Sequence, residues 1–135
     1  MILGDLNADP HDGDDPRMPI HQLLEHPLIQ AAPQPASVGA AEQAALQGGA
    51  NRRHRGSPRF DTLDGADDPG PGNLRLDYVL PSKNFRVTAL GVFWPKQSEP
   101  FFPLVGTFPY PSSDHRLVWM DVELTEGRAE GDIPN

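Results

Sequence analysis

The 135-residue chain is acidic, with 19 Asp and Glu against 11 Lys and Arg for a net charge of −8. That balance weighs against a broad electrostatic grip on duplex nucleic acid, and the absence of cysteine excludes disulfides and thiolate metal sites. The length suffices for one domain with a core, no apolar run reaches membrane-spanning length, and 16 prolines with 13 glycines predict long ordered loops and few long helices.

Met1-Ile2-Leu3 followed by Gly4-Asp5-Leu6-Asn7 reads as a buried strand that ends by presenting polar side chains. Period two puts Asp5 and Asn7 on one side of an extended chain. One is a carboxylate that can hold a metal or a proton; the other is an amide that both donates and accepts. An Asx-rich turn after a strand would look the same. An acidic turn follows from Asp9 to Pro16, and counted from Asp5 the spacing Asp5-x-Asn7-x-Asp9 fits the first three ligands of an EF-hand. It fails at the sixth and twelfth positions, where Pro10 and Pro16 replace Gly and Glu.

Ile20, Leu23, Leu24 and Leu28 recur at helical steps and predict a helix over 17–28, closed by Pro27. His21 and His26, five apart, do not share its face. A second helix is expected over about 37–47, with Ser37 as N-cap, an Ala-rich packing face, and Gly48-Gly49 as the stop. Residues 48–73 form a long loop holding the one concentration of positive charge, Arg52-Arg53-His54-Arg55. It is either a solvated charge run or an anion clamp, with Arg52, Arg53 and His54 as candidate phosphate contacts.

Strands follow at 74–80, 85–94 and 116–124, separated by a Pro-rich loop over 95–113. Phe85, Val87 and Ala89 are expected on one face of the second. Met120, Val122 and Leu124 are expected on one face of the third, with Asp121 and Glu123 toward solvent. The domain is expected to span 1–124, and the polar tail 125–135 to be disordered.

Three segments place an acid or a histidine at a strand end: Asp5/Asn7, Asp77, and Asp114-His115. Histidine is the natural proton carrier near neutrality when a carboxylate fixes its ring, and Asp77, inside an apolar strand, is the candidate partner. An edge acid facing water is the other reading of Asp77. Asp114 is the kind of hard oxygen ligand that magnesium or calcium takes.

Gly4-Asp5-Leu6-Asn7, Arg75-Leu76-Asp77-Tyr78-Val79-Leu80 and Ser113-Asp114-His115-Arg116 resemble, in order and separation, the three C-terminal motifs of the endonuclease/exonuclease/phosphatase family. The stretch from Gly48-Gly49-Ala50-Asn51 through His54 to Asp61-Thr62, and Gly91-Val92-Phe93-Trp94-Pro95, resemble a bacterial branch of that family with an unsettled substrate. The resemblance implies an α/β (α+β) fold, the C-terminal half of a four-layer sandwich built on mostly antiparallel sheet. It also implies one-step in-line hydrolysis of a phosphoester with a divalent cation, Mg2+ before Mn2+ or Ca2+. Asp5 would align the attacking water or assist the leaving oxygen, and would share the metal with Asp114. Asn7 would hold a phosphate oxygen. His115 would serve as base or as a proton-bearing phosphate contact, with Asp77 fixing its ring.

The family's metal-binding Glu and further upstream residues have no counterpart in this chain. The resemblance therefore implies a partial domain, missing its N-terminal half and weakly active alone. Its substrate would be a small phosphoester, a lipid headgroup or a nucleic acid, and its compartment, cytoplasmic or secreted, is left open. A non-catalytic domain binding phosphate through Arg52–Arg55 is the reading from another class.

Overall fold

A computed structural model of the chain describes residues 1–13, 17–67 and 69–125. The far end of the acidic turn (14–16) and the tail from residue 126 lie outside the described residues, and with them most of the segment expected to be disordered. Thr125 is described, and both its amide and its hydroxyl donate to the Asn84 carbonyl, at 2.8 and 2.7 Å.

β1 (Ile2–Asp5) pairs antiparallel with β2 (Asp77–Leu80), placing Asp5 directly opposite Asp77. β3 (Phe85–Phe93) pairs antiparallel with β4 (Leu117–Leu124). Residues 62–64 join the two ribbons: Leu63 bridges to Leu74 on one side and to His115 on the other. The Thr62 amide donates to the Leu74 carbonyl at 2.9 Å, and the Arg116 and Asp64 amides donate to the Thr62 and Asp114 carbonyls at 2.7 and 2.9 Å. This short rung holds the lead-in to β2 beside the lead-in to β4. Helices and antiparallel sheet make the fold α+β; the four-layer stacking implied by the resemblance goes beyond these two ribbons.

Alternation explains β2. Tyr78 and Leu80 are buried against Ile20, while Asp77 and Val79 face the other way and are half-buried. In β3 a bulge interrupts the pattern, because Val87 pairs with Val122 and Ala89 with Asp121, with Thr88 left over. Neighbouring partners sit on opposite faces, so Ala89 does not share the face of Phe85 and Val87 as the alternation predicted. In β4, Val118, Met120 and Val122 are half-buried, but Leu124 at the strand end is exposed.

The helix expected over 17–28 shrinks to α1 (His21–Leu24). Met18 takes a positive φ of 45° and its carbonyl accepts the His21 amide, so the chain turns before it can coil. The apolar spacing reflects a different job: Ile20 is the buried anchor beneath β2, with Leu23 and Leu24 around it, while Leu28 is exposed. α2 (Val38–Gln47) follows the expected bounds. The Ser37 hydroxyl accepts the Gly39 and Ala40 amides and donates to the Trp94 carbonyl, and Gly48 ends the helix at φ 72°. Ala40 packs with Val92, Trp94 and Val105, the core under the second ribbon. A Cβ on Gly39 would stand 2.0 Å from the Trp94 carbonyl oxygen, so only glycine permits this approach of helix to strand end. The long loop after α2 carries two 3-10 turns, Gly49–Arg53 and Pro58–Phe60.

Candidate active site

Asp5 ends β1, and the chain then turns through Asn7 at φ 48°, a left-handed conformation that asparagine tolerates. The turn closes on Asp5 itself. Its Oδ1 accepts the Asn7 amide at 2.9 Å and its Oδ2 accepts the Asn7 side-chain Nδ2 at 3.0 Å. Asp9 then pins the loop to the lead-in of β2. One of its oxygens accepts the His11 and Asp12 amides, both at 2.7 Å, and the other the Arg75 amide at 2.8 Å. The Tyr78 hydroxyl adds a bond to the Ala8 carbonyl at 2.6 Å. The GDLNADP stretch is thus a rigid turn tied to the strand that carries Asp77.

His115 Nδ1 lies 2.9 Å from Asp77 Oδ2. Asp77 is no edge acid facing water: its side chain is 18% exposed and Thr62 also donates to it, Oγ1 to Oδ2, at 2.8 Å. Burial alone would lower the proton affinity of His115. The Asp77 hydrogen bond, with the charges of Asp77, Asp5 and Asp114, outweighs that and raises its pKa. One ligand atom each from Asp5, Asp77 and His115 lie within 4.8 Å of one another. The two carboxylates could offer oxygens to a divalent ion of hard-oxygen preference, whereas the imidazole is a nitrogen donor whose Nδ1 is taken by Asp77. Asp114 is exposed and does not belong to this trio, although its charge acts on His115.

Behind Asp114-His115, Arg116 turns inward. Its guanidinium meets Asp64 Oδ2 at 2.7 Å, with both side chains fully shielded, and lies over the rings of Trp94 and Tyr110 at 4.7 and 5.2 Å. Gln47 and Gln43 donate to the other Asp64 oxygen at 3.1 and 3.5 Å, and Tyr110 donates to the Asp64 carbonyl at 2.7 Å. Burial raises the Asp64 pKa and lowers that of Arg116, and their attraction opposes both shifts. This network fixes the strand start that delivers His115.

The basic cluster does not act as one unit. Arg55 is held by Asp12 and the His11 carbonyl, and His54 Nε2 lies 2.7 Å from the Pro71 carbonyl oxygen. Arg52 and Arg53 are exposed. Arg53 lines a hollow with Gly49, Ala50, Asp67, Pro69 and Gly70, none of them a member of the Asp5–Asp77–His115 group. A cleft of about 360 Å³ has Asn7 in its wall, although Asp5, Asp77 and His115 do not line it. Leu63, Leu74, Leu76, Pro19 and Pro71 share that wall with Asp9, and His54 is not part of it. A roomier cleft of about 510 Å³ between the start of α2 and β3 holds none of the candidate residues; chemistry, not size, picks out the first.

Thr62 and the Asp64–Arg116 pair had no assigned part in the sequence reading. Thr62 stood there only within an Asp-Thr pair, and a buried acid inside a loop of acids carries no one-dimensional signal. Neither curated proteins nor solved structures gave a significant match to this chain. A family model described as "Endonuclease/Exonuclease/phosphatase family" matches residues 1–115, the span that contains every group described above up to His115. The chain belongs to the endonuclease/exonuclease/phosphatase family, whose members hydrolyse phosphoesters.

Proposed function

We propose that this chain is a divalent-cation-dependent phosphoesterase whose reacting groups are Asp5, Asn7, Asp77 and His115. The observation that carries the reading is the convergence of Asp5, Asp77 and His115, which come from β1, β2 and the lead-in to β4. Asp5 and Asp77 would hold the cation, with Asp114 beside them; their hard carboxylate oxygens favour Mg2+, with Mn2+ or Ca2+ as alternatives. When bound, the ion neutralises phosphate charge and stabilises the leaving oxygen.

Asn7 donates one Nδ2 hydrogen to Asp5 and keeps the second for a phosphate oxygen. Asp5, its orientation set by Asn7, aligns the attacking water. His115, with one nitrogen bonded to Asp77 and its pKa raised, carries a proton to a phosphate oxygen from the other nitrogen. The cleft beside Asn7 is within the size range of small-ligand sites and is walled by leucine and proline. With a net charge of −8, that favours a small phosphodiester, a nucleotide or a lipid headgroup over long duplex DNA.

The test is hydrolysis of bis(p-nitrophenyl) phosphate with Mg2+ and with chelator. Slow turnover that chelator abolishes is expected. Phosphate-analogue binding that survives chelator but is lost on Arg52→Ala/Arg53→Ala, with no turnover, would replace the enzyme with the anion-binding reading.

A further inference from the structure

Thr62 is 1% exposed and sits on the rung that joins the two ribbons. Its backbone is held on both sides, by Leu74 through its amide and by Arg116 through its carbonyl, so the origin of its side chain is fixed. Three groups meet its hydroxyl. The amides of Leu76 and Asp77 each donate to Oγ1 at 3.0 Å, and Oγ1 lies 2.8 Å from Asp77 Oδ2.

A hydroxyl has two lone pairs and one proton. The two amides take the lone pairs, so the proton has one destination, the Asp77 carboxylate. Oδ2 of Asp77 therefore receives two donors, the Thr62 hydroxyl and His115 Nδ1. An ionised carboxylate only accepts, so Nδ1 carries its hydrogen, and in the neutral ring Nε2 is left bare.

We propose that Thr62 is a positioning residue: its hydroxyl locks Asp77 Oδ2 in place and thereby holds the neutral His115 ring with hydrogen on Nδ1, so that Nε2 is the nitrogen that takes up the proton and delivers it to the substrate phosphate. Without that hydroxyl, rotation of Asp77 about its Cα–Cβ bond could carry the carboxylate away from Nδ1 and free the ring. The Thr62 hydroxyl removes that freedom by making the donor to Oδ2 part of the backbone frame of β2. The last clause of the proposal rests on the phosphoesterase reading; the tautomer selection does not.

The test is ring 15N NMR of His115 in the full chain, at a pH above its titration so that the ring is neutral. In the unaltered protein Nδ1 is expected to show the shift of a protonated nitrogen and Nε2 that of a bare one. Thr62→Ser, which keeps the hydroxyl, should preserve that pattern. Thr62→Val should collapse it toward the averaged shifts of free imidazole. A Val variant with the unaltered pattern overturns the proposal, as does a Ser variant whose pattern is averaged. If the Val variant does not fold, the Ser variant and the unaltered protein still decide: hydrogen on Nε2 in the latter contradicts the account. A chain that fails to hydrolyse phosphoesters leaves these shifts readable, so the two failures are distinguishable.

Discussion

Asp77 and His115, 38 residues apart in the chain, meet at 2.9 Å because residues 62–64 bridge the lead-ins of their strands. The pair orients the ring and raises its pKa, so the two residues should fail together. Asp77→Asn and His115→Ala are each expected to lower the phosphodiester hydrolysis rate by about 10²–10⁴-fold, the usual contribution of a positioned proton carrier. The double variant should lose little more than either single one, since each removes the same function. Rate comparison under saturating Mg2+ checks this; additive losses would mean the two act separately.

The raised His115 pKa fixes the sign of the pH response. The proton-bearing form dominates below that pKa, so activity should fall as pH rises through a value above the ordinary 6.5 of histidine. The bond to Asp77 also stabilises the fold below the unfolded-state pKa, and that contribution is lost as pH rises through the folded one. Asp77→Asn should move the descending limb of the pH–rate profile to lower pH. A limb that stays in place would remove Asp77 as the cause of the shift.

Asp61 gives a stability test at a group that is not one of the proposed reacting residues. It is buried, its Oδ2 has no hydrogen-bond partner, and burial together with the charges of Asp9 and Asp12 pushes its pKa up to about 8. The folded protein therefore keeps a proton there that the unfolded chain releases above 3.8. Folding stability from this group is complete below that pH and declines up to about 8. Asp61→Asn, which mimics the neutral acid, should flatten the fall of melting temperature over this window and raise stability at its upper end. Thermal melts across pH would show it; an unchanged slope would mean that Asp61 ionises freely in the fold.

The Asp64–Arg116 pair predicts an asymmetric result. Asp64→Ala leaves the guanidinium buried without its partner and should cost about 3–5 kcal/mol in denaturant unfolding. Replacing both with apolar residues of similar volume should cost less than that single change. A single change near neutral would indicate that the glutamines and the aromatic rings suffice to hold Arg116.

How far these relationships could be read from one dimension depends on their range. α2 was legible because its signals are local: a serine cap, an alanine face and a glycine stop. The helix over 17–28 was not, because the same apolar spacing is produced by Ile20 anchoring a turn beneath Tyr78 and Leu80, with a left-handed Met18 that no pattern announces. Asp5, Asn7, Asp77 and His115 stood out as polar residues at the ends of apolar runs. Thr62, Asp61 and Asp64 did not, since they lie in a loop whose polar composition looks solvated and whose burial arises only when β2 and β4 close around it. Charge density left the arginine cluster open between a solvated run and a clamp, and what sequence could not show is that Arg55 is held by Asp12 and the His11 carbonyl while Arg52 and Arg53 stay exposed.

The central claim is that Asp5, Asp77 and His115 form a cation-dependent hydrolytic site, and turnover of bis(p-nitrophenyl) phosphate by the unaltered chain and its His115→Ala variant tests it most directly. The account predicts slow Mg2+-dependent release of nitrophenolate that the variant lacks while still folding. Equal turnover by both chains, with and without chelator, would contradict it.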